Sequence, residues 1–247
     1  MENIVRDANS IVNFAKKSIK NLTPYKPGKP ISELAREHSL KEQDIIKLAS
    51  NENPLPTSEK VQAAIVEQAN KTHFYPDGNG YELKQKIAKL KQVDTNQITL
   101  GNGSDDVFDF ILKVFVESQN DDEVMISQYG FAAYAIAAKV MNVKLVEVPA
   151  KNFCHDLAAM AESVTSKTKV IFIANPNNPT GTWNKTSDII NLLNNVPKNI
   201  IVVIDQAYFE FIESDIESVF KGLSHPDIIK HYGVSFDSLE ATKEQMN

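Results

Sequence analysis

Five apolar residues, Ile200-Ile-Val-Val-Ile204, run straight into Asp205, and Tyr208 follows three positions later. A carboxylate at the end of a buried strand is costly unless a cation or several donors meet it. Three partners suit such an acid: the start of the next segment, which it would cap; a magnesium ion; or an organic cation. Magnesium loses its usual companion, because no Gly-x-x-x-x-Gly-Lys-Ser/Thr loop occurs anywhere in the chain. An organic cation is the better partner, with a capping acid as the alternative.

Two further stretches carry polar chemistry where apolar runs end. Leu100-Gly-Asn-Gly-Ser-Asp-Asp-Val107 leads through glycines into a helix that opens on Ser104, Asp105 and Asp106. Glycines allow close backbone approach, and the free N–H groups of a helix start form an anion cradle. The plain alternative is an N-terminus whose acids favour the helix dipole. The second stretch, Ala174-Asn-Pro-Asn-Asn-Pro-Thr-Gly-Thr182, is a polar loop whose prolines fix the backbone, so that the amides of Asn177 and Asn178 are placed to donate to a ligand oxygen.

The elements that must position these residues alternate. Strand-like runs cover 97–100, 122–127, 143–148, 169–174 and 199–204, and segments with helical spacing lie between them. In one of those segments Val107, Phe110, Ile111, Val114 and Phe115 form an apolar face. Such alternation predicts right-handed βαβ units, hence an α/β fold with a mostly parallel sheet covered on both sides. Ligands then sit at the carboxyl ends of the strands. Residues 1 to 48 read as a helical arm, broken where three prolines and a glycine in Leu22-Thr-Pro-Tyr-Lys-Pro-Gly-Lys-Pro30 prevent regular structure.

Composition narrows the partners. A net charge of -6 and no basic block give no field for nucleic acid or anionic lipid. No apolar run reaches the length of a signal core or membrane span, which points to the cytoplasm. Cys154 is the single cysteine, fitting a reducing compartment and reading as a small core filler. The two arginines, Arg6 and Arg36, both lie near the start, although planar carboxylate and phosphate clamps normally use arginine.

Together these segments resemble the fold-type I aminotransferases that use pyridoxal 5′-phosphate, and among them the histidinol-phosphate aminotransferase family. The matching pieces are 22–30, Leu48-Ala-Ser-Asn-Glu-Asn-Pro54, Tyr75-Pro-Asp77, Gly101-Asn-Gly-Ser-Asp105, Tyr129-Gly-Phe-Ala-Ala-Tyr134, Asn175-Pro-Asn-Asn-Pro-Thr-Gly181 and Asp205-Gln-Ala-Tyr208. The resemblance implies a three-layer α/β/α fold, incomplete at the C-terminus, with residues 1–48 forming an N-terminal arm and part of a small domain and 49–247 a truncated cofactor-binding large domain. It implies amino transfer between an imidazole-bearing phosphate amine and 2-oxoglutarate in histidine synthesis, by a homodimer acting on small amino and keto acids. By the same resemblance Asp205 pairs with the cofactor's protonated pyridine nitrogen, Tyr208 and Asn178 donate to its phenolic oxygen, and Phe131 lies on the ring face. Ser104 and Asp105 offer backbone N–H groups to its phosphate, Tyr75 reaches that phosphate from the neighbouring subunit, and Asn53 faces substrate.

The family's lysine, which holds the cofactor as a Schiff base, follows a serine about thirty residues past the acid. Here no Ser-Lys pair occurs after Asp205, and Lys230, ahead of Tyr232-Gly233, is the nearest approach. The family trace breaks after Ile229, as a truncated or frameshifted gene product would. Two other readings therefore stand beside the transaminase: a non-catalytic remnant or partner of a full-length paralogue, and another enzyme of the class, an aromatic aminotransferase or a related decarboxylase.

Overall fold

The structure, a computed structural model, describes residues 14–25, 27–211 and 235–236. The described residues fall into two compact units, one on residues 24–78 and a larger one on 14–23 and from 79 onward. The smaller unit contains α2 (Ile31–His38) and α3 (Glu59–Ala69). Ser58 caps α3 by accepting the Val61 N–H at 3.3 Å, and Lys29 pairs with Glu37 of α2 at 2.6 Å. Residues 22–25 and 27–30 of the proline-rich stretch carry no helix, as its prolines dictate.

The larger unit begins with α1 (Lys17–Lys20) and α4 (Tyr81–Lys91) and is built on a parallel sheet. Its strands are β1 (Glu123–Ser127), β2 (Lys144–Val148), β3 (Thr168–Ala174), β4 (Ile201–Asp205) and β5 (Ser235–Phe236), in the order β2-β1-β3-β4-β5. Four of the expected strands are present. The fifth, at 97–100, is not: Thr95–Gln97 forms a 3₁₀ turn, closed by a reciprocal capping box between Asp94 and Gln97. Gln97 turns back to the Asp94 N–H at 2.9 Å, and Ile98 beyond it is extended but joins no ladder among the described residues.

Side-chain alternation sorts the sheet into two cores. Val124, Ile126, Val170, Phe172, Ala174 and Val203 pack with α5 (Gly103–Phe115) and α6 (Ala132–Val140). Met125, Ile171, Ile173, Val202 and Ile204 pack with α7 (Leu157–Glu162) and α8 (Thr186–Asn195). Strand residues point alternately to opposite faces, so the pattern yields three layers with the sheet in the middle. The same parity puts Asp205 on the side of Val203, facing α5 and α6.

The buried stripe of α5 is Val107, Phe108, Ile111 and Leu112, while Phe110, Val114 and Phe115 are exposed. This corrects the expected face by part of a turn. The helix is apolar around most of its circumference, so spacing alone did not choose which stripe meets the sheet. At the centre of this core Phe172 stacks on Tyr134 at 4.7 Å and meets Phe108 edge-on at 5.4 Å.

The carboxyl end of β3 is tied to the opposite layer. Buried His155 donates from Nε2 to the Ala174 carbonyl at 2.9 Å, while its Nδ1 has no hydrogen-bond partner among the described residues. Burial pushes the imidazole below its ordinary value, opposed by the bond to Ala174. The folded state therefore takes up a proton less readily than the unfolded chain. Its contribution to stability is complete above the ordinary histidine value and is lost as pH falls from there towards the lowered one.

Two expectations follow. Phe172→Ala lowers unfolding free energy by about 3–5 kcal/mol in denaturant titrations, and a loss below about 1 kcal/mol contradicts the packing described. Acidification from about pH 7.5 to about pH 5.5 lowers the thermal midpoint, and His155→Gln, which keeps a donor for Ala174, reduces that drop. An unchanged pH response in the variant would show that His155 does not carry it.

Candidate active site

Parallel register brings Asp205 beside Ala174 at the ends of β4 and β3. The small side chain of Ala174 leaves a cavity of about 240 Å³ over these ends, lined by Asn102, Gly103, Ser104, Asp105, Phe131, Ala174, Pro176, Asn178, Asp205, Ala207 and Tyr208. Six of the residues singled out in the sequence, Ser104, Asp105, Phe131, Asn178, Asp205 and Tyr208, thus share one cavity wall.

Asp205 is 5% exposed. One carboxylate oxygen, Oδ2, accepts the Tyr134 hydroxyl at 2.6 Å, and the other, Oδ1, accepts the Ala207 N–H at 3.0 Å. Donors of this kind offset the cost of burying the charge, and they fix the orientation of the group. Burial, followed by the charge of Asp205 and the bond to it, raises the Tyr134 phenol well above its ordinary value. The proton therefore stays on the tyrosine.

The start of α5 supplies the opposite kind of group. Gly103, at φ 73°, takes a left-handed turn that favours glycine, and the Asn102 side chain caps no N–H of the first turn. Instead, Asp106 accepts both the Asn102 backbone N–H at 2.9 Å and its side-chain amide at 3.0 Å. A Cβ at Gly101 would lie 2.9 Å from that of Asp106, so glycine is what lets the loop close so tightly. The first-turn N–H groups are left able to receive an anion. Partial burial, then Asp109 and Asp106, raises the Asp105 carboxyl above its ordinary value. Asp105 can therefore serve an anion through its backbone, whereas its side chain opposes one.

The loop after β3 is held from both ends. Asn175 exchanges a pair of bonds with Asn184, at 3.2 and 2.7 Å, and gives its own N–H to the Asp205 carbonyl at 2.8 Å. Asn177 donates to the Tyr129 carbonyl at 3.0 Å and the Thr180 hydroxyl at 2.8 Å. It is therefore a brace within the loop and not the ligand donor expected from the sequence, whereas Asn178 lines the cavity. Phe131 precedes α6 and meets Tyr134 edge-on at 5.7 Å.

The described lining of the cavity does not include the other expected residues. Tyr75 belongs to the smaller unit and is 100% exposed. Asn53, in the same unit, accepts the Leu55 N–H at 3.0 Å in a local turn. Lys230 falls outside the described residues. Among the described residues no lysine or arginine lines the cavity, and none of their His, Cys, Asp and Glu side chains cluster to suit a metal ion. Tyr134 has no expected role from sequence alone, although the spacing Phe131-Ala-Ala-Tyr134 at a helix start carries a signal: it places two aromatics about one turn apart.

Comparison with known proteins agrees with this architecture. The chain is 50% identical over 197 residues to histidinol-phosphate aminotransferase 1 of Idiomarina loihiensis, covering 80% of this chain and 53% of that protein. It is 48% identical over 204 residues to histidinol-phosphate aminotransferase 2 of Haemophilus influenzae, covering 83% and 55%. The chain thus spans about half the length of these relatives. The crystal structure of histidinol-phosphate aminotransferase from Sinorhizobium meliloti in complex with pyridoxal-5′-phosphate superposes with a TM-score of 0.75 at 24% identity, covering 91% of this chain and 57% of that one. The last likeness establishes the fold, the three-layer arrangement of fold-type I enzymes. Residues 43–235 match the family of class I and II aminotransferases, and the chain belongs to that family.

Proposed function

We propose that the cavity binds pyridoxal 5′-phosphate and that the chain is a histidinol-phosphate transaminase, exchanging an amino group with 2-oxoglutarate. The observation that carries this reading is the juxtaposition of a buried, doubly hydrogen-bonded carboxylate and an uncapped helix start around one cavity. A pyridinium phosphate carries the matching charges, a cation on its ring and an anion on its arm. Relatives named for this reaction support the substrate class.

When bound, the cofactor supplies an electrophilic carbon and a ring that accepts electron density from the substrate's α-carbon. Asp205 would hold a proton on the ring nitrogen, which would strengthen the ring as an electron sink. Tyr208 and Asn178 would donate to the phenolic oxygen, and Phe131 would offer the ring an aromatic face. Ser104 and Asp105 give backbone N–H groups to the phosphate. Tyr75 reaches it from a second subunit of a homodimer, and Asn53 meets substrate. The acidic charge, the single cysteine and the absence, among the described residues, of a helix long and apolar enough to cross a membrane support a cytoplasmic setting.

A second reading, of a chain that does not catalyse, is favoured by one observation: no lysine lines the cavity among the described residues. Colour separates the two. A transaminase purifies yellow or turns so with pyridoxal phosphate, and borohydride fixes the label on a lysine that peptide mapping identifies. Colourless protein with no label sinks the enzymatic reading.

For the enzyme, Asp205→Asn lowers the rate of amino transfer from histidinol phosphate by at least about a hundredfold, because a neutral amide no longer holds the pyridinium. Single-turnover absorbance measures this, and an unchanged rate removes Asp205 from the chemistry.

A further inference from the structure

We infer that Tyr134 is the positioning residue of this site, a buried donor that aims and charges the Asp205 carboxylate for a cationic ring. The inference rests on the reading of the cavity as a pyridoxal phosphate site. Tyr134 is 1% exposed and lies among three phenylalanines: stacked on Phe172 with planes 5° apart, and edge-on to Phe108 and Phe131. Phenylalanine would satisfy that cage as well, because nothing in the packing calls for an oxygen. The hydroxyl reaches out of the cage to Asp205, 71 residues away in sequence, at 2.6 Å.

Removing a hydroxyl from water is unfavourable unless it is well bonded, so the oxygen is accounted for by the acid it meets. The cage denies the ring other orientations, and Oδ2 of Asp205 is consequently pinned by a side chain with no freedom of its own. Together with the Ala207 N–H on Oδ1, the hydroxyl stabilises the carboxylate in its charged form and fixes its orientation in the cavity wall. Tyr134 also touches Phe131 of the cavity wall, so one rigid ring sets the place of both the acid and the aromatic plate.

The test compares two ligands by calorimetry on the whole chain: pyridoxal 5′-phosphate, and benzyl phosphate, which has a ring and a phosphate but no ring nitrogen. Tyr134→Phe is expected to weaken pyridoxal phosphate about tenfold and to leave benzyl phosphate within about twofold. Equal weakening of both would reduce Tyr134 to a wall of the cavity, and no change in either would remove it altogether. Both results overturn the inference, whereas Asp205→Asn still losing pyridoxal phosphate preference leaves the site reading intact. Wild-type protein that does not distinguish the two ligands overturns the site reading and this inference together. Should Tyr134→Phe fail to fold, 3-fluorotyrosine at position 134 keeps the ring and strengthens the donor. It then raises the preference for pyridoxal phosphate, and an unmoved preference counts against the role.

Discussion

One buried acid, Asp205, organises the site. The Asp205 carboxylate lies at the inner end of β4, almost without solvent, and its presence there is sustained by a tyrosine hydroxyl from α6 and a backbone N–H from the turn that follows. Each of those donors depends on other structure in turn. The tyrosine stands where it does because Phe108 and Phe172 grip its ring, and the Ala207 N–H because the chain leaves the strand directly after the acid. An ion in such a place is more readily explained by what it binds than by stability, since apolar replacements of buried ions are often no less stable.

The sheet converts that local arrangement into a site. Parity along β4 decides that Asp205 faces α5 and α6 instead of α7 and α8, and parallel register decides that it lies beside Ala174. A one-residue slip would reverse the first and displace the second. Because the five described strands run in the same direction, the loops after β3 and β4 and the start of α5 converge at one end, where an anion cradle and an acid come to share a cavity.

Much of this was legible in the chain itself. The apolar runs ending at Ala174 and Asp205, the glycines before Ser104 and the asparagine-proline loop mark strand ends and a helix start by local chemistry, and the structure gathers them. What was less legible depends on competition between alternatives that a sequence does not rank. Leu100 and its neighbours have strand-like character, but a strand also needs a paired neighbour, and none meets them among the described residues. Phe110 and Phe108 are equally apolar, and which one is buried depends on the sheet beneath. Asn177 and Asn178 are the same residue type, yet one braces the loop and the other meets the cavity. The bond between Tyr134 and Asp205 spans 71 residues and is visible only once α6 lies over β4.

The chemistry of the site depends on the acid facing a protonated ring nitrogen. Nitrogen-15 NMR of the chain loaded with pyridoxal phosphate labelled at that nitrogen reads the protonation directly. A pyridinium shift that persists to pH values where the free cofactor has already lost this proton is the predicted result. A neutral pyridine shift in the bound state would contradict it.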